Sequence, residues 1–322
     1  MHRKNGLCAL LLAVALLLCA CGSVPTVTTG TALEAQGENP VPLAFLFRSS
    51  ADSPSYQAPD FADSQFHSEL AEGNDQVKLD LSAVNQGYVA VSAQSDKRLK
   101  FQVILGEAVY NYDIASDGTP SILPLQSGNG SYRFRVMENV VDSKYAELYS
   151  AECAVTLADD FQPFLRPSDY INYSQDSDCV RKSAELAAGA EDELAVVSAV
   201  YDYICDTVTY DVEKAGSVRS GYLPDTDETM HSGKGICFDY AALAASMLRS
   251  QGIPTKMIFG YVSPEGLYHA WNMFYTAQTG WVTVSFEVQK DSWNRLDLTF
   301  AANGADSTFI GNGDNYADIY FY

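Results

Sequence analysis

The chain has 322 residues, of which 41 are acidic and 20 are lysine or arginine, giving a formal net charge of −21. Hydrophobic residues make up 47% of it and include 20 tyrosines and 15 phenylalanines, so it can bury real cores and is not disordered throughout. Such an acidic chain repels nucleic acid and anionic lipid headgroups, and we expect neither as a partner.

Residues 1–20 have the layout of a bacterial secretion signal. His2-Arg3-Lys4 is basic, and the apolar run from Leu7 to Ala20 is shorter than the ~20 residues that a membrane span needs. The next residues complete Leu18-Cys19-Ala20-Cys21-Gly22, which resembles the lipobox of bacterial lipoproteins. The resemblance implies cleavage before Cys21 and lipidation of its sulfur. A lipid anchor at the outer face of the cell membrane would follow.

The next two segments are predicted to be a tether and a β domain. Residues 21–40 are small and polar, which is typical of a flexible tether. Residues 41–160 carry short alternating apolar runs separated by turns such as Ser127-Gly128-Asn129-Gly130, which predicts a β-sandwich-like domain. Its aromatics Tyr110 and Tyr112 could stack on sugars if exposed, but we favour cross-strand packing. The predicted strands are Val77–Leu81, Tyr88–Ser92, Leu99–Ile104, Val109–Ile114, Tyr132–Met137 and Tyr145–Leu157.

Residues 161–322 change character, from helical patterns to strands. Helical periodicity predicts helices from Asp178 to about Ala187 and from about Asp192. An irregular stretch is predicted over 212–232, and a third helix from Cys237 to Gly252. The period then drops to two, which predicts the strands Lys256–Val262, His269–Thr276, Trp281–Gln289 and Ser292–Phe300.

Cys237 follows two glycines and stands in or near the first turn of its predicted helix. Unpaired N–H groups and the positive end of the helix dipole lower a thiol's pKa there, so we expect a reactive nucleophile. The alternative is a buried, inert cysteine. Cys153, Cys179 and Cys205 form no CxxC pair with it, so we expect neither a metal nor a cofactor. Cys179 and Cys205 could form a disulfide or an ordinary buried pair.

A thiol nucleophile needs a base and an acceptor that orients the base. The region offers two histidines, and we favour His269 on a strand over His231 in the irregular stretch, because a strand holds an imidazole better. Asp297 alternates with apolar neighbours on a later predicted strand and is our candidate acceptor, since a carboxylate there needs a partner.

Several of these motifs, in order, resemble bacterial transglutaminase-like proteins. They are Thr209-Tyr210-Asp211, Gly235-Ile236-Cys237-Phe238-Asp239-Tyr240-Ala241, Leu248-Arg249-Ser250-Gln251-Gly252-Ile253-Pro254, His269-Ala270-Trp271-Asn272 and Leu296-Asp297-Leu298-Thr299-Phe300. The resemblance covers roughly residues 165–322. It implies an α+β fold with a papain-like core, in which Cys237 is the nucleophile, His269 the base and Asp297 the orienting acid.

One departure from the family pattern concerns the acid. In many relatives an aspartate closes a Trp-Val-x-x-Asp run, but here Trp281-Val282-Thr283-Val284 is followed by Ser285. We interpret 282–292 as an inserted hairpin that turns near Lys290-Asp291, which leaves the role to Asp297. If Asp297 does not have this role, Glu287 is the nearest acidic residue that could take it.

Two classes of function remain open. The first is a lipid-anchored thiol enzyme that forms a thioester with a peptide or glutamine amide at the cell surface. We favour hydrolysis over crosslinking, because water is the default acceptor at an exposed site. The second is a non-catalytic surface module that binds protein or glycan.

Overall fold

The computed structural model describes residues 55–219, 221–262, 267–289, 292–297 and 316–322, which all fall within one compact unit. The signal segment, Cys21 and the tether lie outside the described residues, so their roles stay predictions, as do the domain boundaries. Within the described part of the chain, no helix is long and apolar enough to cross a membrane.

The first half of the described chain forms two four-stranded antiparallel sheets. The strand order is β1-β2-β3-β6 in one sheet and β5-β4-β7-β8 in the other. The strands are β1 (Glu72–Gly73), β2 (Val77–Asp80), β3 (Tyr88–Ala93), β4 (Leu99–Leu105), β5 (Ala108–Ile114), β6 (Ser121–Pro124), β7 (Gly130–Val141) and β8 (Lys144–Val155). The six predicted strands are confirmed to within a few residues of their ends, whereas β1, which has two residues, and β6, whose four residues end in a proline, were not predicted.

The core between the sheets follows the period-two pattern of the strands. Leu99, Phe101 and Val103 of β4 are buried, as are Val77 and Leu79 of β2. Successive side chains of a strand point to opposite faces, so each sheet turns one apolar face to the other. The β-sandwich prediction rests on this alternation.

Tyr110 and Tyr112 are buried, which agrees with the favoured interpretation of packing and not with the alternative of sugar stacking. Tyr112 has no exposed surface, and its ring lies 5.7 Å from the rings of Tyr170 and Tyr322. The Tyr110 ring likewise lies 5.8 Å from the Tyr320 ring and 6.3 Å from the Phe321 ring, so both tyrosines pack against the second half of the chain.

In the described part of the chain, five α-helices follow these two sheets. They are α1 (Asp178–Ala187), α2 (Glu193–Thr207), α3 (Val212–Ser217), α4 (Thr226–Ser232) and α5 (Cys237–Ser250). The predicted helices α1, α2 and α5 are confirmed. Almost all of α5 is buried, including Ala241, Ala244 and Met247, so it is the central helix of this half.

The prediction of an irregular stretch over 212–232 is wrong, because α3 and α4 lie within it. Each begins with an aspartate cap, Asp211 accepting from the Lys214 N–H and Asp225 from the Glu228 N–H. Both helices have seven residues or fewer, and α3 buries none of them. A helix without a buried stripe leaves no 3.6-residue period in the sequence.

The remaining strands build one antiparallel sheet against α5, in the order β14-β13-β12-β11-β15. They are β11 (Thr255–Val262), β12 (Leu267–Thr276), β13 (Gly280–Gln289), β14 (Ser292–Asp297) and β15 (Tyr316–Phe321). The short β9 (Thr209–Tyr210) and β10 (Lys234–Gly235) pair in parallel beside it. The strands and the helices occupy separate stretches of the chain, with antiparallel sheets before and after the helices. This segregation confirms the predicted α+β class.

The predicted hairpin is present. β13 and β14 pair antiparallel, with Ser285 opposite Asp297 and Gln289 opposite Ser292. Its turn at Lys290-Asp291, and the predicted continuation of the last strand through Phe300, lie outside the described residues.

Candidate active site

Cys237 is the first residue of α5, as its position behind two glycines predicts. Gly233 ends α4 with φ +63°, a left-handed conformation that favours glycine. Gly235 has a steric role, since a Cβ there would lie 2.8 Å from the Asp239 Cβ. The two glycines thus bring the chain tightly into the helix that starts at the thiol.

The sequence predicts a lowered pKa for the Cys237 thiol, and this prediction is wrong for the structure without a bound substrate. Burial raises the pKa of the thiol; the backbone N–H groups of Ala270 and Phe238 lower it, and the nearby Asp239 carboxylate raises it again. Loss of water outweighs the helix start because the charged form loses its solvation. At neutral pH the resting group is therefore mainly a thiol, and its activation needs a base.

His269 lies near the start of β12, opposite Gly260 of β11. Its ring centroid is 6.3 Å from that of Trp271, two residues along the strand. The next residue is Ala270, whose N–H approaches the sulfur of Cys237. The first turn of α5 therefore meets β12 directly beside the histidine.

Cys237 and His269 line one open cleft of about 600 Å³. Tyr268 lines it as well, and since neighbouring strand residues point to opposite faces, the cleft lies across the start of β12. The other lining residues are Tyr170, Tyr210, Ala215, Val218, Arg219, Gly221, Tyr222, Ile236, Phe238, Phe259, Tyr320 and Tyr322.

The backbone of Asp297 ends β14, two strands from β12. Val284 lies opposite Asn272, and Ser285 lies opposite Asp297. Because opposed residues share a sheet face and neighbours alternate, position 297 shares a face with position 269. Position 287 has the same parity, so the register admits both acid candidates. Their side chains lie outside the described part of the structure.

His231 pairs with a carboxylate outside the cleft. It lies on α4, and its Nε2 is 2.9 Å from Oδ2 of Asp178 at the start of α1. This contact ties two helices together, and His231 does not line the cleft. The preference for His269 over His231 as the candidate base is consistent with this separation.

A polar cluster beside Cys237, formed by Lys214, Tyr222 and the buried Asp239, was not predicted from the sequence. Asp239 has no exposed surface, and its carboxylate accepts the Ile236 N–H at 2.8 Å and the Tyr222 hydroxyl at 2.5 Å. The Lys214 ammonium lies 2.6 Å from Asp239 and donates to Tyr222 at 2.7 Å. An acid three residues after an N-cap is a capping signal, which could have identified Asp239 but not its distant partners.

The remaining cysteines of the described chain, Cys153, Cys179 and Cys205, form no disulfide. Cys179 and Cys205 carry reduced thiols, and burial raises their pKa values to about 12 and about 11. Within the described residues, no group of three His, Cys, Asp or Glu side chains could hold a metal ion.

Residues 181–286 match the family model of the transglutaminase-like superfamily. The matched range begins in α1, contains α5 with Cys237 and β12 with His269, and ends in β13. Over this range the chain is similar to the transglutaminase-like superfamily.

Individual proteins are similar to this chain at low sequence identity. An uncharacterised protein of Mycobacterium leprae is 28% identical over 182 residues, which span 52% of this chain and 56% of that protein. A candidate cysteine protease from Cytophaga hutchinsonii is similar over 78% of this chain and 80% of its own, at 16% identity and a TM-score of 0.36. The periplasmic domain of TgpA from Pseudomonas aeruginosa is similar over 71% of this chain and 75% of its own, at 14% identity and a TM-score of 0.32.

Proposed function

We propose that the protein is a lipid-anchored thiol enzyme that acts on peptide or glutamine amide bonds through Cys237, His269 and Asp297. The carrying observation is that Cys237 and His269 line the same cleft, with Cys237 at the start of the buried helix α5. A helix start supplies backbone N–H groups that no helical carbonyl satisfies. The Cys237 N–H is our candidate donor to the oxyanion.

The reaction begins with His269 as general base, because the resting Cys237 is mainly protonated. The imidazole takes the thiol proton while the sulfur attacks the amide carbonyl, forming a C–S bond. The C–N bond then breaks, and the imidazolium gives its proton to the leaving amine. A thioester between Cys237 and the acyl group remains.

Water completes the cycle. His269 takes a proton from water, the resulting hydroxide attacks the thioester, and the C–S bond breaks to release the acid. The Cys237 sulfur then recovers its proton from the imidazolium. We favour hydrolysis because the cleft is open to solvent, although an amine could attack the same thioester.

Asp297 would orient the imidazole and stabilise its charged form. Position 297 shares a sheet face with position 269, which supports this role, and Glu287 is the alternative. The lipid on Cys21 would hold the enzyme at the outer face of the bacterial cell membrane. Its substrates would be proteins or peptides at the cell surface.

The test uses the full chain in detergent with benzyloxycarbonyl-Gln-Gly as the probe. We expect ammonia release, together with an acyl adduct on Cys237 when the reaction is quenched in acid. Cys237→Ala should abolish both, and Cys153→Ala is the matched control that should change neither. An amine such as monodansylcadaverine measures the competing transfer.

Two results would contradict the proposal. Full activity of Cys237→Ala would show that Cys237 is not the nucleophile. A wild-type chain that never acylates on peptide amides would favour a non-catalytic module that binds protein or glycan. The anchor is tested separately: Cys21→Ser should abolish incorporation of labelled palmitate, and unchanged labelling would overturn that part.

A further inference from the structure

The lining of the cleft has an unusual charge composition for this chain. The chain carries 41 aspartates and glutamates, yet none of the fifteen residues that line the cleft is one of them. Eight of the fifteen are tyrosine or phenylalanine, and the basic side chains among them are Arg219 and His269. The cleft is thus an apolar, acid-poor opening in a strongly acidic protein.

The segment that carries Arg219 is fixed at both of its ends. Lys214 lies before Arg219 and Tyr222 after it, and both contact the buried Asp239 carboxylate, at 2.6 Å and 2.5 Å. The Tyr222 N–H also donates to the Arg219 carbonyl at 3.2 Å. The same carboxylate belongs to the first turn of α5, two residues after Cys237. Residues on both sides of Arg219 are therefore tied to the helix that carries the thiol, and Arg219 lines the cleft between them.

The charge on Arg219 is not neutralised by the described residues. Lys214 is committed to Asp239, whereas no ion pair found among the described side chains includes Arg219. Arg219 is exposed, so its guanidinium is accessible to a ligand, and a guanidinium binds a carboxylate through two parallel N–H donors. A cleft that is lined by no acidic side chain and by the Arg219 guanidinium is complementary to an anionic ligand.

We propose that Arg219 is a specificity-determining residue that binds a carboxylate of the acyl donor. The preferred substrate is then a peptide with a carboxylate close to the amide that Cys237 attacks. That description rests on the proposed amide chemistry. The carboxylate could be an acidic side chain or a free C-terminus, since both present the same two oxygens.

The first test compares an anionic and a neutral reagent at the same thiol. Iodoacetate and iodoacetamide alkylate Cys237 by the same displacement of iodide, and their rate ratio isolates recognition of the carboxylate. Any change in the thiol's pKa affects both rates equally and cancels. We expect Arg219→Ala to lower the iodoacetate-to-iodoacetamide ratio about three- to five-fold, and Arg219→Lys to lower it less.

The matched control is Arg133→Ala on the sandwich, which removes the same net charge away from the cleft. Its arginine is half-exposed and lies 3.5 Å from Glu147. We expect its alkylation ratio to equal that of the wild type. An unchanged ratio in Arg219→Ala, or an equal fall in both variants, overturns the proposal.

The second test uses glutaminyl peptides in matched pairs. Benzyloxycarbonyl-Gln-Gly and its C-terminal amide differ in the terminal carboxylate, and benzyloxycarbonyl-Gln-Glu-amide and its Gln-Gln counterpart differ in the side chain. Arg219→Ala should lower kcat/KM for the charged member of at least one pair and leave the neutral member unchanged. The pair that responds identifies the source of the carboxylate.

The failures are distinguishable. If alkylation depends on Arg219 but no peptide is turned over, the carboxylate site stands and the proposed amide chemistry fails. If peptides are turned over with no dependence on Arg219, the enzyme stands and the carboxylate site fails. If Cys237 reacts with neither reagent nor peptide, both fail.

Discussion

Lys214 of α3 and Asp239 of α5 form an ion pair, with Nζ 2.6 Å from Oδ2, two residues after Cys237. The carboxylate is fully buried, while 29% of the Lys214 side chain is exposed. The pair therefore neutralises a buried charge at the first turn of the central helix. It also joins a short helix without a core of its own to the candidate site.

Lys214→Met should lower the free energy of unfolding by about 2–3 kcal/mol, because it leaves the Asp239 charge buried without its partner. The partial exposure of Lys214 keeps this below the cost for a fully buried pair. Urea denaturation measures it. The control is Lys182→Met, which removes an exposed pair with Glu185 and should cost under about 0.5 kcal/mol. Equal losses in the two variants would contradict the role of the buried pair.

Cys237 should alkylate with a midpoint above the ~8.5 of an ordinary thiol, because burial raises its pKa. Below that midpoint the thiol is protonated and slow. Asp239→Asn should move the midpoint down, since the carboxylate disfavours the thiolate. Rates measured with iodoacetamide from about pH 7 to 10, with peptide mapping, give the profile.

The other thiols provide the internal comparison in that experiment. Cys179 and Cys205 have pKa values raised to about 12 and about 11 and should react later than Cys237. Prior labelling of Cys153, Cys179 or Cys205 in the native protein would show that Cys237 is not the most reactive thiol. The nucleophile assignment would then be wrong.

Tyr322→Ala should lower the free energy of unfolding by about 3–4 kcal/mol. The ring is buried and stacks on Tyr170 at 4.6 Å and 4°, and it also contacts Tyr112 of the sandwich. Tyr322→Phe keeps the ring contacts and should cost much less. Denaturant midpoints of the two variants measure the difference. Equal midpoints would mean that the Tyr322 ring contributes little to the free energy of unfolding.

Asp297→Asn should reduce turnover of any substrate found by ~10²- to 10⁴-fold, because the amide keeps the shape but not the charge that stabilises the imidazolium. Glu287→Gln should change turnover little. Steady-state kinetics on both variants separate the two acids. The opposite result, a silent Asp297→Asn and an inactive Glu287→Gln, would move the role to β13 and leave Asp297 structural.

The candidate nucleophile and base could be predicted from the sequence because each lies in a recognisable local sequence pattern. Two glycines before Cys237 and the apolar period after it define a helix start, and α5 begins at that residue. The alternation around His269 similarly predicts β12, which the structure confirms. Short-range patterns of this kind determine local structure without reference to distant contacts.

The electrostatics of the site could not be predicted in the same way. A helix start alone predicts a depressed pKa for Cys237, but burial in the folded cleft reverses the direction. The Asp239 carboxylate adds to that reversal and is itself balanced by Lys214, which lies 25 positions earlier on a helix without periodicity. Desolvation and charge pairing depend on distances that the local pattern does not contain.

The sequence by itself determined six of the eight strands in the first two sheets, the helices α1, α2 and α5, and the α+β class, because apolar period and glycine positions act over a few residues. The tertiary structure alone decided that Tyr110 and Tyr112 pack against Tyr322, which is distant in the chain. It also decided that Cys237, His269 and Arg219 share one cleft. The reason is physical: burial and charge compensation are properties of the space between elements, and the packing of elements far apart in the chain creates that space.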